Sequence, residues 1–390
     1  MVKPGYKRTQ SGVIPEEWDE ALLGEKADIY RGGSPRPIQS YITQSGSGVN
    51  WIKIGDVGAG EKYITKTAEK ITPEGAARSR KVYAGDLILS NSMSFGRPYV
   101  LALDGCIHDG WLVIQNYHDT FCQDFLYYLL SSDFVYQQYA FMAAGSSVQN
   151  LNKGKVEALR VVIPPLPEQE RIAGALSDAD RLISALERLI AKKRDIRQGA
   201  VTRLLTGETR LPGFCGTWKD GRIGDIAQPV RGQMLRSTDC IPGPYPVIAG
   251  GKSPAGYHNV CNRTGVTITI SASGANAGYV ALHRTPIFAS DCSTISESAD
   301  YCVEYVYYLL QSMQEAIYRA QTGGAQPHIH PDDITPLRAR YPADIAEQEA
   351  IAALLSDMDR ETDALEQELD KARRVRQGMM QQLLTGNIRL

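Results

Sequence analysis

The sequence lacks the cysteine pattern of a disulfide framework or a zinc knuckle. Its seven cysteines include no CxxC pair, and an odd number cannot all be joined in pairs. Both kinds of structure depend on cysteines at regular, matched spacings. The pattern therefore argues against both, and we expect a chain that works in the reducing cytoplasm.

Long apolar runs are also missing. No stretch of about 18 uninterrupted apolar residues is present that could span a membrane. The first residues, MVKPGYKRTQ, lack the apolar core of a secretory signal segment. We therefore expect neither a membrane-spanning helix nor a signal segment.

The chain has no large excess of charge of either sign. Its 42 Lys and Arg residues against 44 Asp and Glu residues give a formal net charge of −2 at pH 7. A bulk positive charge is the usual electrostatic sign of a nucleic-acid-binding domain, and that sign is absent. Any DNA-binding surface must therefore be a local cluster of residues.

The motifs of two enzyme classes are incomplete. A Gly-Lys-Ser run occupies residues 251–253, but Pro246 stands where the first glycine of a phosphate-binding loop would lie. The segment VIPPLPE has paired prolines, but Ile163 and Leu166 replace the polar and aromatic residues with which an amino-methyltransferase would hold its target base. No nucleophile, general base and orienting group can be named together. We therefore expect neither a phosphate loop nor methyl transfer within this chain.

One polar cluster leaves an enzymatic alternative open. The segment HIHPDD groups His328, His330, Asp332 and Asp333, which are residue types that bind metals or serve in nucleases. No lysine-bearing acidic partner follows at short spacing, and polar loop surface is the simpler interpretation. We assign no metal site here, and the alternative of a divergent nuclease or methyltransferase site at 328–333 stays open.

What the sequence does contain is a long internal repeat. The segment EQERIAGALSDADR begins at 168 and EQEAIAALLSDMDR at 347, an offset of 347 − 168 = 179 that persists to LLTGETRL at 204 and LLTGNIRL at 383. Further upstream, WDEALLGEKADIYRGG at 18 matches WKDGRIGDIAQPVRGQ at 218. The period is far longer than that of a solenoid repeat. The sequence therefore predicts a duplicated domain, each copy followed by the same connecting element.

The connecting element has the heptad spacing of a long helix. Apolar residues recur at steps of four and three, and prolines precede the first segment without interrupting it. Some 35 helical residues would extend roughly 50 Å, and two copies in one chain can bury their seams against each other. We predict an antiparallel pair; the alternative is two separate helices that pack on their own domains. The seam residues are Ile172, Leu176, Ala179, Ile183, Leu186 and Ile190, then Ile351, Leu355, Met358, Leu365, Leu369 and Ala372.

The ends of the helices carry glutamates and glycines. The glutamates are interpreted as first-turn carboxylates favoured by the helix dipole, and Gly199 and Gly378, with the LLTG segments, are expected where each helix loosens or ends. The glutamates are Glu168, Glu170, Glu347 and Glu349.

The repeated domains have the pattern of mixed α and β structure. Short β-rich runs such as DLILSNS and TGVTITISAS alternate with clusters of Gly, Ser, Asn and Pro, and each half then carries an aromatic amphipathic helix. Tyrosines 127 and 128, and 307 and 308, could stack on bases, but their helical spacing with leucines favours a place in the core. The predicted fold class is α+β, with two similar mixed α/β domains, two long antiparallel coiled-coil helices and an internal pseudo-two-fold repeat.

Together these motifs resemble the specificity subunit of a type I restriction-modification system. The resemblance is carried by IPPLPEQERIAGALSDADRLISALE, by EQEAIAALLSDMDRETDALE, by the RQG and LLTG ends and by the duplicated domains, and it covers essentially the whole chain. The second copy departs from this pattern at YPADIAEQE, where the Pro-Leu-Pro run that precedes the first helix is missing. This departure affects where the second helix is expected to start. The implied organisation is target recognition domain 1 at 1–165, a spacer helix at 166–211, target recognition domain 2 at 212–345 and a spacer helix at 346–390.

The resemblance also implies a function. Each target recognition domain would read one half of a split double-stranded DNA target, and the chain itself would not be catalytic. The helices would dock two methyltransferase subunits and, through them, restriction subunits. This chain would bind no cofactor, whereas S-adenosylmethionine, ATP and magnesium would be used by the partner subunits. A coiled-coil scaffold that binds no DNA is the remaining alternative.

DNA readout requires side chains on loops that reach base edges, flanked by contacts to phosphates. The loops YRGGSPRP and SNSMSFGR of the first domain, and their equivalents in the second, are the candidates for this role. For any single residue, a solvated loop side chain is the competing interpretation. The candidate DNA-binding residues are Arg31, Ser34, Arg36, Lys53, Asn91, Ser92, Ser94 and Arg97 in the first domain, and Arg231, Gln233, Lys252, Ser273, Asn276 and Arg284 in the second.

Overall fold

The structure is a computed structural model that describes residues 2–58, 60–91, 96–143, 151–323 and 326–390. The chain divides into two compact units, of which the first contains Met1–Ala185 and Leu369–Leu390 and the second contains Leu186–Glu368. Both divisions fall inside long helices, so each unit holds one segment of each helix. None of the helices in the described ranges is long and apolar enough to cross a membrane.

The first unit is built from short strands and helices. In chain order its strands are β1 (Tyr6–Thr9), β2 (Gly12–Pro15), β3 (Asp19–Leu22), β4 (Asp28–Arg31), β5 (Ile42–Thr43), β6 (Val49–Ile52), β7 (Tyr63–Ile64), β8 (Glu69–Ile71), β9 (Arg80–Val82), β10 (Leu87–Ser90), β11 (Pro98–Leu101), β12 (Gly105–Ile107), β13 (Trp111–Gln115) and β14 (Arg160–Ile163). Its helices are α1 (Pro73–Ala76), α2 (Gln123–Leu130), α3 (Asp133–Ala143), α4 (Lys153–Glu157) and the first part of α5 (Leu166–Leu205).

Two five-stranded sheets form the core of this unit, with the strand orders β4-β13-β10-β11-β7 and β5-β8-β6-β12-β9. Successive side chains of a strand point to opposite faces. Leu87 and Leu89 therefore pack with α2 and the helix segments, whereas Ile88 packs between the two sheets. Burial of both faces explains why DLILS is an almost continuous apolar run.

The second unit repeats this plan with fewer strands. Its strands are β15 (Trp218–Arg222), β16 (Val230–Arg231), β17 (Tyr245–Ile248), β18 (Gly256–His258), β19 (Thr267–Ser271), β20 (Val280–His283), β21 (Phe288–Ala289), β22 (Cys292–Ser296) and β23 (Arg338–Pro342). Its helices are α6 (Ile223–Ile226), α7 (Val303–Ser312), α8 (Gln314–Arg319), α9 (Pro331–Ile334) and most of α10 (Ile345–Leu383).

The sheets of the second unit have the orders β16-β22-β19-β20 and β18-β17-β21. Ile268 and Ile270 pack against α7 and the helix segments, as Leu87 and Leu89 do in the first unit. The opposite face of β19 is polar, and Thr269 Oγ1 lies 2.9 Å from His283 Nε2. The two halves therefore share a topology but differ in the chemistry between their sheets.

The two long helices contain 40 and 39 residues, somewhat more than predicted. Gly199 and Gly378 lie inside α5 and α10 and do not end them. The helices end at the LLTG segments, where Gly207 and Gly386 adopt left-handed φ values of +71° and +72°. A left-handed residue just beyond the last turn is a common way to end a helix, and glycine adopts it without strain.

Within each unit the two helix segments run antiparallel. In the second unit Arg210 pairs with Glu347 and Arg197 with Asp359, so residue numbers fall along one segment as they rise along the other. In the first unit Arg389 pairs with Glu168 and Arg376 with Asp180 in the same sense. The predicted antiparallel pairing and fold class are therefore confirmed, in preference to separate helices.

The apolar seam and the tyrosines are largely buried. Tyr127, Tyr128 and Tyr308 are core residues and Tyr307 packs against the core, which confirms their interpretation as packing residues. The buried seam residues are Ile172, Leu176, Leu186, Ile190, Ile351, Leu355 and Leu369. The half-buried ones are Ala179, Ile183, Met358, Leu365 and Ala372.

Candidate nucleic-acid interface

Strand direction gathers four loops at one edge of the first domain. Strands β4 and β10 are antiparallel to β13, so both end where β13 begins, with Arg31 opposite Leu112. Strands β6 and β12 are parallel, so Lys53 and His108, which follow them, lie at the same end of their sheet. We call residues 31–37, 53–56, 91, 96, 97 and 108–110 the first loop edge; residues 92–95 lie outside the described part of the chain.

Asp109 joins four of the candidate residues on the first loop edge. Its backbone oxygen accepts hydrogen bonds from Arg31 Nε at 3.2 Å and from Asn91 Nδ2 at 2.9 Å. Its carboxylate accepts from Ser34 Oγ at 2.9 Å and lies 3.9 Å from the guanidinium of Arg36, whose side chain is 84% exposed. The structure therefore brings these four residues together around one turn.

The Asp109 carboxylate is stabilised in its charged form. Partial burial opposes ionisation, but the hydrogen bond from Ser34 and electrostatic interactions with His108 and Arg31 outweigh it and lower the pKa of Asp109. The charged carboxylate orients Ser34 and attracts Arg36, whose guanidinium remains accessible to a phosphate or a base. Asp109 therefore acts as an organising residue of this edge.

A glycine beneath each loop edge permits the close packing of the loops. A Cβ atom at Gly32 would overlap the carbonyl oxygen of His108, and the amide of Gly32 donates to the carbonyl of Trp111 at 2.9 Å. In the second domain a Cβ at Gly232 would overlap the carbonyl oxygen of Ser290 in the same way. The repeated Arg-Gly step in YRGG and VRGQ therefore has a steric cause.

The other candidates of the first domain are less closely associated. The Lys53 ammonium is paired with the Glu69 carboxylate, although its backbone lies at the edge. Arg97 is exposed, and its guanidinium lies 5.4 Å from the centre of the Tyr99 ring. The remaining two, Ser92 and Ser94, lie outside the residues that the structure describes.

The structure adds one cation that no sequence pattern indicates. Arg80 begins β9 and lies opposite Ile107, at the end of β12 that meets the first loop edge. It is exposed, and its guanidinium stacks on Tyr30 with 4.6 Å to the ring centre. The neighbouring Ser79 Oγ donates to the carbonyl of Gly33 at 2.6 Å. Only the pairing of β9 with β12 reveals this position.

The second domain gathers its loops in the same way. Strands β16 and β19 end where β22 begins, with Arg231 opposite Ser293 and Ser271 opposite Cys292. Strands β17 and β21 are parallel and end together. We call residues 231–236, 249–255, 272–279 and 290–291 the second loop edge.

Five of the candidates of the second domain lie on this edge. Ser273 Oγ donates to the carboxylate of Asp291, much as Ser34 does to Asp109. The candidates Arg231, Gln233 and Lys252 are exposed, and Ser273 and Asn276 are half-buried. Lys252 Nζ lies 5.3 Å from the centre of the Tyr279 ring.

Arg284 does not join the second loop edge. Strand β20 runs antiparallel to β19, so Val280 lies near that edge and Arg284, after the last residue of β20, lies at the opposite end. Its guanidinium donates to the Glu304 carboxylate at 2.6 Å, near the start of α7. The sequence alignment of the halves could not show this, because it does not give strand direction.

The HIHPDD segment supports the second loop edge. Asp333 accepts a hydrogen bond from the amide of His330 at 2.8 Å and so caps α9. His328 pairs with Ser273 in an isolated β-bridge, and the amide of Ile329 donates to Ala272 at 2.9 Å. Among the described residues, no group of three or more His, Cys, Asp or Glu side chains is placed to hold a metal ion.

Two of the helix-start glutamates, Glu168 and Glu347, lie in the first turns of α5 and α10 as predicted, and both are also buried in ion pairs. Glu168 is 1% exposed; Arg389 donates to both of its oxygens, at 2.9 and 2.8 Å, and Trp18 Nε1 donates at 3.0 Å. Burial opposes ionisation, but the hydrogen bonds from Arg389 and Trp18 outweigh it and lower the pKa of Glu168. Glu170 and Glu349 are exposed and lie beyond the first turns of α5 and α10, so their interpretation as first-turn carboxylates is wrong.

We call this arrangement, in which a tryptophan and an arginine both bind a buried glutamate, a latch. The second half of the chain contains an equivalent latch. Glu347 is fully buried, Arg210 donates to it at 2.9 and 2.6 Å, and Trp218 Nε1 lies 3.3 Å away. A Cβ at Gly207 would lie 3.0 Å from Trp218, and one at Gly386 would lie 3.2 Å from the tryptophan of the first latch. The latches therefore explain why LLTGETRL and LLTGNIRL are near copies: each supplies a helix end, a glycine against tryptophan and an arginine for glutamate.

Comparison with known proteins agrees with the duplication. A family model described as a type I restriction modification DNA specificity domain matches residues 15–193 and again residues 216–372. The chain is 23% identical to the type I restriction enzyme MjaVIII specificity subunit of Methanocaldococcus jannaschii over 53% of its own length and 49% of that protein. It is also 23% identical to the putative MjaX specificity subunit of the same organism, over 99% of this chain and 97% of that one.

The fold also matches a solved structure. The crystal structure of the type I restriction-modification system S subunit from M. genitalium superposes with a TM-score of 0.64 at 17% sequence identity, covering 94% of this chain and 96% of that one. The likeness extends over nearly the whole of both chains.

Proposed function

This chain belongs to the family of type I restriction-modification DNA specificity subunits, and on that premise we propose that its two loop edges each read one half of a split double-stranded DNA target. Members of this family recognise DNA and are not catalytic themselves. The observation that carries the proposal is that two equivalent edges stand on the same framework, yet present different side chains. A shared framework with different loops is what two independent half-site readers require.

The chemistry of the edges supports this role. Exposed guanidinium groups, such as those of Arg36 and Arg231, suit phosphates or guanine edges, and the polar groups of Ser34 and Gln233 suit hydrogen bonding to bases. The net charge of −2 is compatible with DNA binding, because a few exposed cations on each edge suffice for local contacts to phosphates. We propose residues 1–165 and 212–345 as the two target recognition domains, with 166–211 and 346–390 as the spacer helices.

We further propose that the helices carry two methyltransferase subunits and, through them, restriction subunits. The duplicated helices offer equivalent surfaces, which suits two copies of one partner. Because most seam residues are buried, docking would use the exposed faces of α5 and α10, and the seam would support those faces from beneath. A chain that reads cellular DNA within such a system would act in the cytoplasm.

Domain exchange tests this function. Residues 1–165 would be replaced by the equivalent domain of a relative, and methylated adenines would be mapped in cells that carry the whole system. We expect one half of the recognised sequence to change while the other half persists. Exchange of residues 212–345 is the matched control and should change the other half. A change of both halves by either exchange would contradict independent reading, and failure to bind any duplex with or without partners would favour the scaffold.

A further inference from the structure

Met234 is an exposed apolar residue on the second loop edge. Its side chain is 72% exposed, and it lies in the loop between Arg231 and Arg236, both of which are exposed. Single exposed apolar residues are common on protein surfaces, so exposure alone decides nothing. The position of Met234 within an edge that otherwise carries polar and charged groups is the informative observation.

The loop is held in a way that keeps this side chain outward. The amide of Gln233 donates to the carbonyl of Ala289 at 2.9 Å, and the amide of Leu235 donates to Ser290 Oγ at 3.0 Å. These hydrogen bonds fix the backbone on both sides of Met234. Gly232 packs against the carbonyl of Ser290, so the turn beneath cannot carry a side chain. The backbone that presents the methionine is therefore well anchored.

The equivalent position of the first domain has different chemistry. The segment RGGSPR at 31–36 aligns with RGQMLR at 231–236, so Ser34 is the residue equivalent to Met234 in the alignment of the two halves. Ser34 donates to the Asp109 carboxylate at 2.9 Å. Methionine has no strong hydrogen-bonding group and carries a flexible, polarisable thioether. At this position the first domain therefore offers a polar group and the second an apolar one.

We propose that Met234 contacts the 5-methyl group of a thymine in the half-site read by the second domain. Thymine is the base that presents a methyl group in the major groove, and an apolar side chain recognises it by contact. The flanking arginines would bind phosphates and fix the position of the loop. This inference rests on the proposed function, because it assigns one residue of the second loop edge to one feature of its target.

The test uses the chain in complex with its methyltransferase subunits and a duplex that carries the mapped target. Each thymine of the second half-site is replaced in turn by deoxyuridine, which lacks only the methyl group. We expect one replacement to weaken binding by the wild-type complex about three- to five-fold, the loss expected for one buried methyl contact. The same replacement should have no effect on Met234→Ala, and Met234→Leu should retain the wild-type response.

Two controls separate this contact from a general effect. Val260→Ala removes a similarly exposed side chain, 51% exposed, beyond the far end of β18, and should respond to deoxyuridine as the wild type does. The salt dependence of binding should be unchanged in Met234→Ala, because phosphate contacts set that slope. A second half-site without thymine, or an equal deoxyuridine effect in Met234→Ala, would overturn the inference. If the wild-type complex bound duplexes with no sequence preference at all, that result would instead contradict the proposed function.

Discussion

The latch of the first half offers a quantitative test of how the chain end is held. Replacing Arg389 with alanine would remove two of the three hydrogen bonds to the Glu168 carboxylate and leave only that from Trp18. The carboxylate would stay almost without solvent, since Glu168 is 1% exposed. We therefore expect a large and local loss of stability in the first unit.

The magnitude follows from the burial of the two partners. Removing one partner of a fully buried ion pair costs about 3 to 5 kcal/mol. The Arg389 side chain is 37% exposed, so water already solvates part of the pair. We discount the loss to about 2 to 3 kcal/mol. With a urea dependence of about 2 to 3 kcal/mol per molar, the unfolding midpoint should fall by about 1 M.

The assay must resolve the two units, because a chain of this kind need not unfold in one step. Hydrogen–deuterium exchange by mass spectrometry across a urea series gives a midpoint for each peptide. Peptides from 12–25 and 380–390 should shift to lower urea in Arg389→Ala, whereas those from 212–225 should not. The matched control is Arg181→Ala, because Arg181 is exposed and its ion pair with Asp178 lies at the surface. An equal shift in both units, or a shift no larger than that of the control, would refute the reasoning.

Two further predictions follow from the same geometry. The pKa of Glu168 is lowered from its ordinary 4.5, so the stability that its ion pair contributes is fully present above pH 4.5 and is lost as the pH falls through the lower pKa of the folded state. The difference in urea midpoint between wild type and Arg389→Ala should therefore vanish in strong acid. A difference that persists there would contradict an ionic origin. Gly32→Ala should abolish recognition of one half-site in a gel-shift assay, because its Cβ would displace the carbonyl of His108. Gly46→Ala, which lies outside the loop edge and whose Cβ meets nothing within 4 Å, should bind DNA normally; equal binding by both variants would show that the turn yields.

The sequence was sufficient for the elements that depend on local periodicity. Heptad spacing identified both long helices, and the 179-residue offset identified the duplication. The latch was not identified, because Arg389 and Glu168 are 221 residues apart and lone glutamates at a helix start have a common local explanation. The repeat did contain the signal, since arginine and glutamate recur at matching positions in both copies.

The candidate site was predicted in part, for topological reasons. Loops after β4 and β10 were identified from their polar composition, and the sheets bring them to one edge. Arg80 was missed because only the pairing of β9 with β12 carries it there, and Arg284 was included because an alignment of the halves contains no strand direction. Asp109 was missed because a lone acidic residue in a turn gives no sign that it will organise cations.

The proposed function requires that each loop edge reads its own half of the target. The most direct test is to map methylated sites in cells that carry either of two double variants, Ser34→Ala with Arg36→Ala on the first edge, or Gln233→Ala with Asn276→Ala on the second. We predict that each variant relaxes base preference in one half-site, a different half for each, while the other half and the spacing are unchanged. Relaxation of both halves by one variant, or of neither half by both, would contradict the claim.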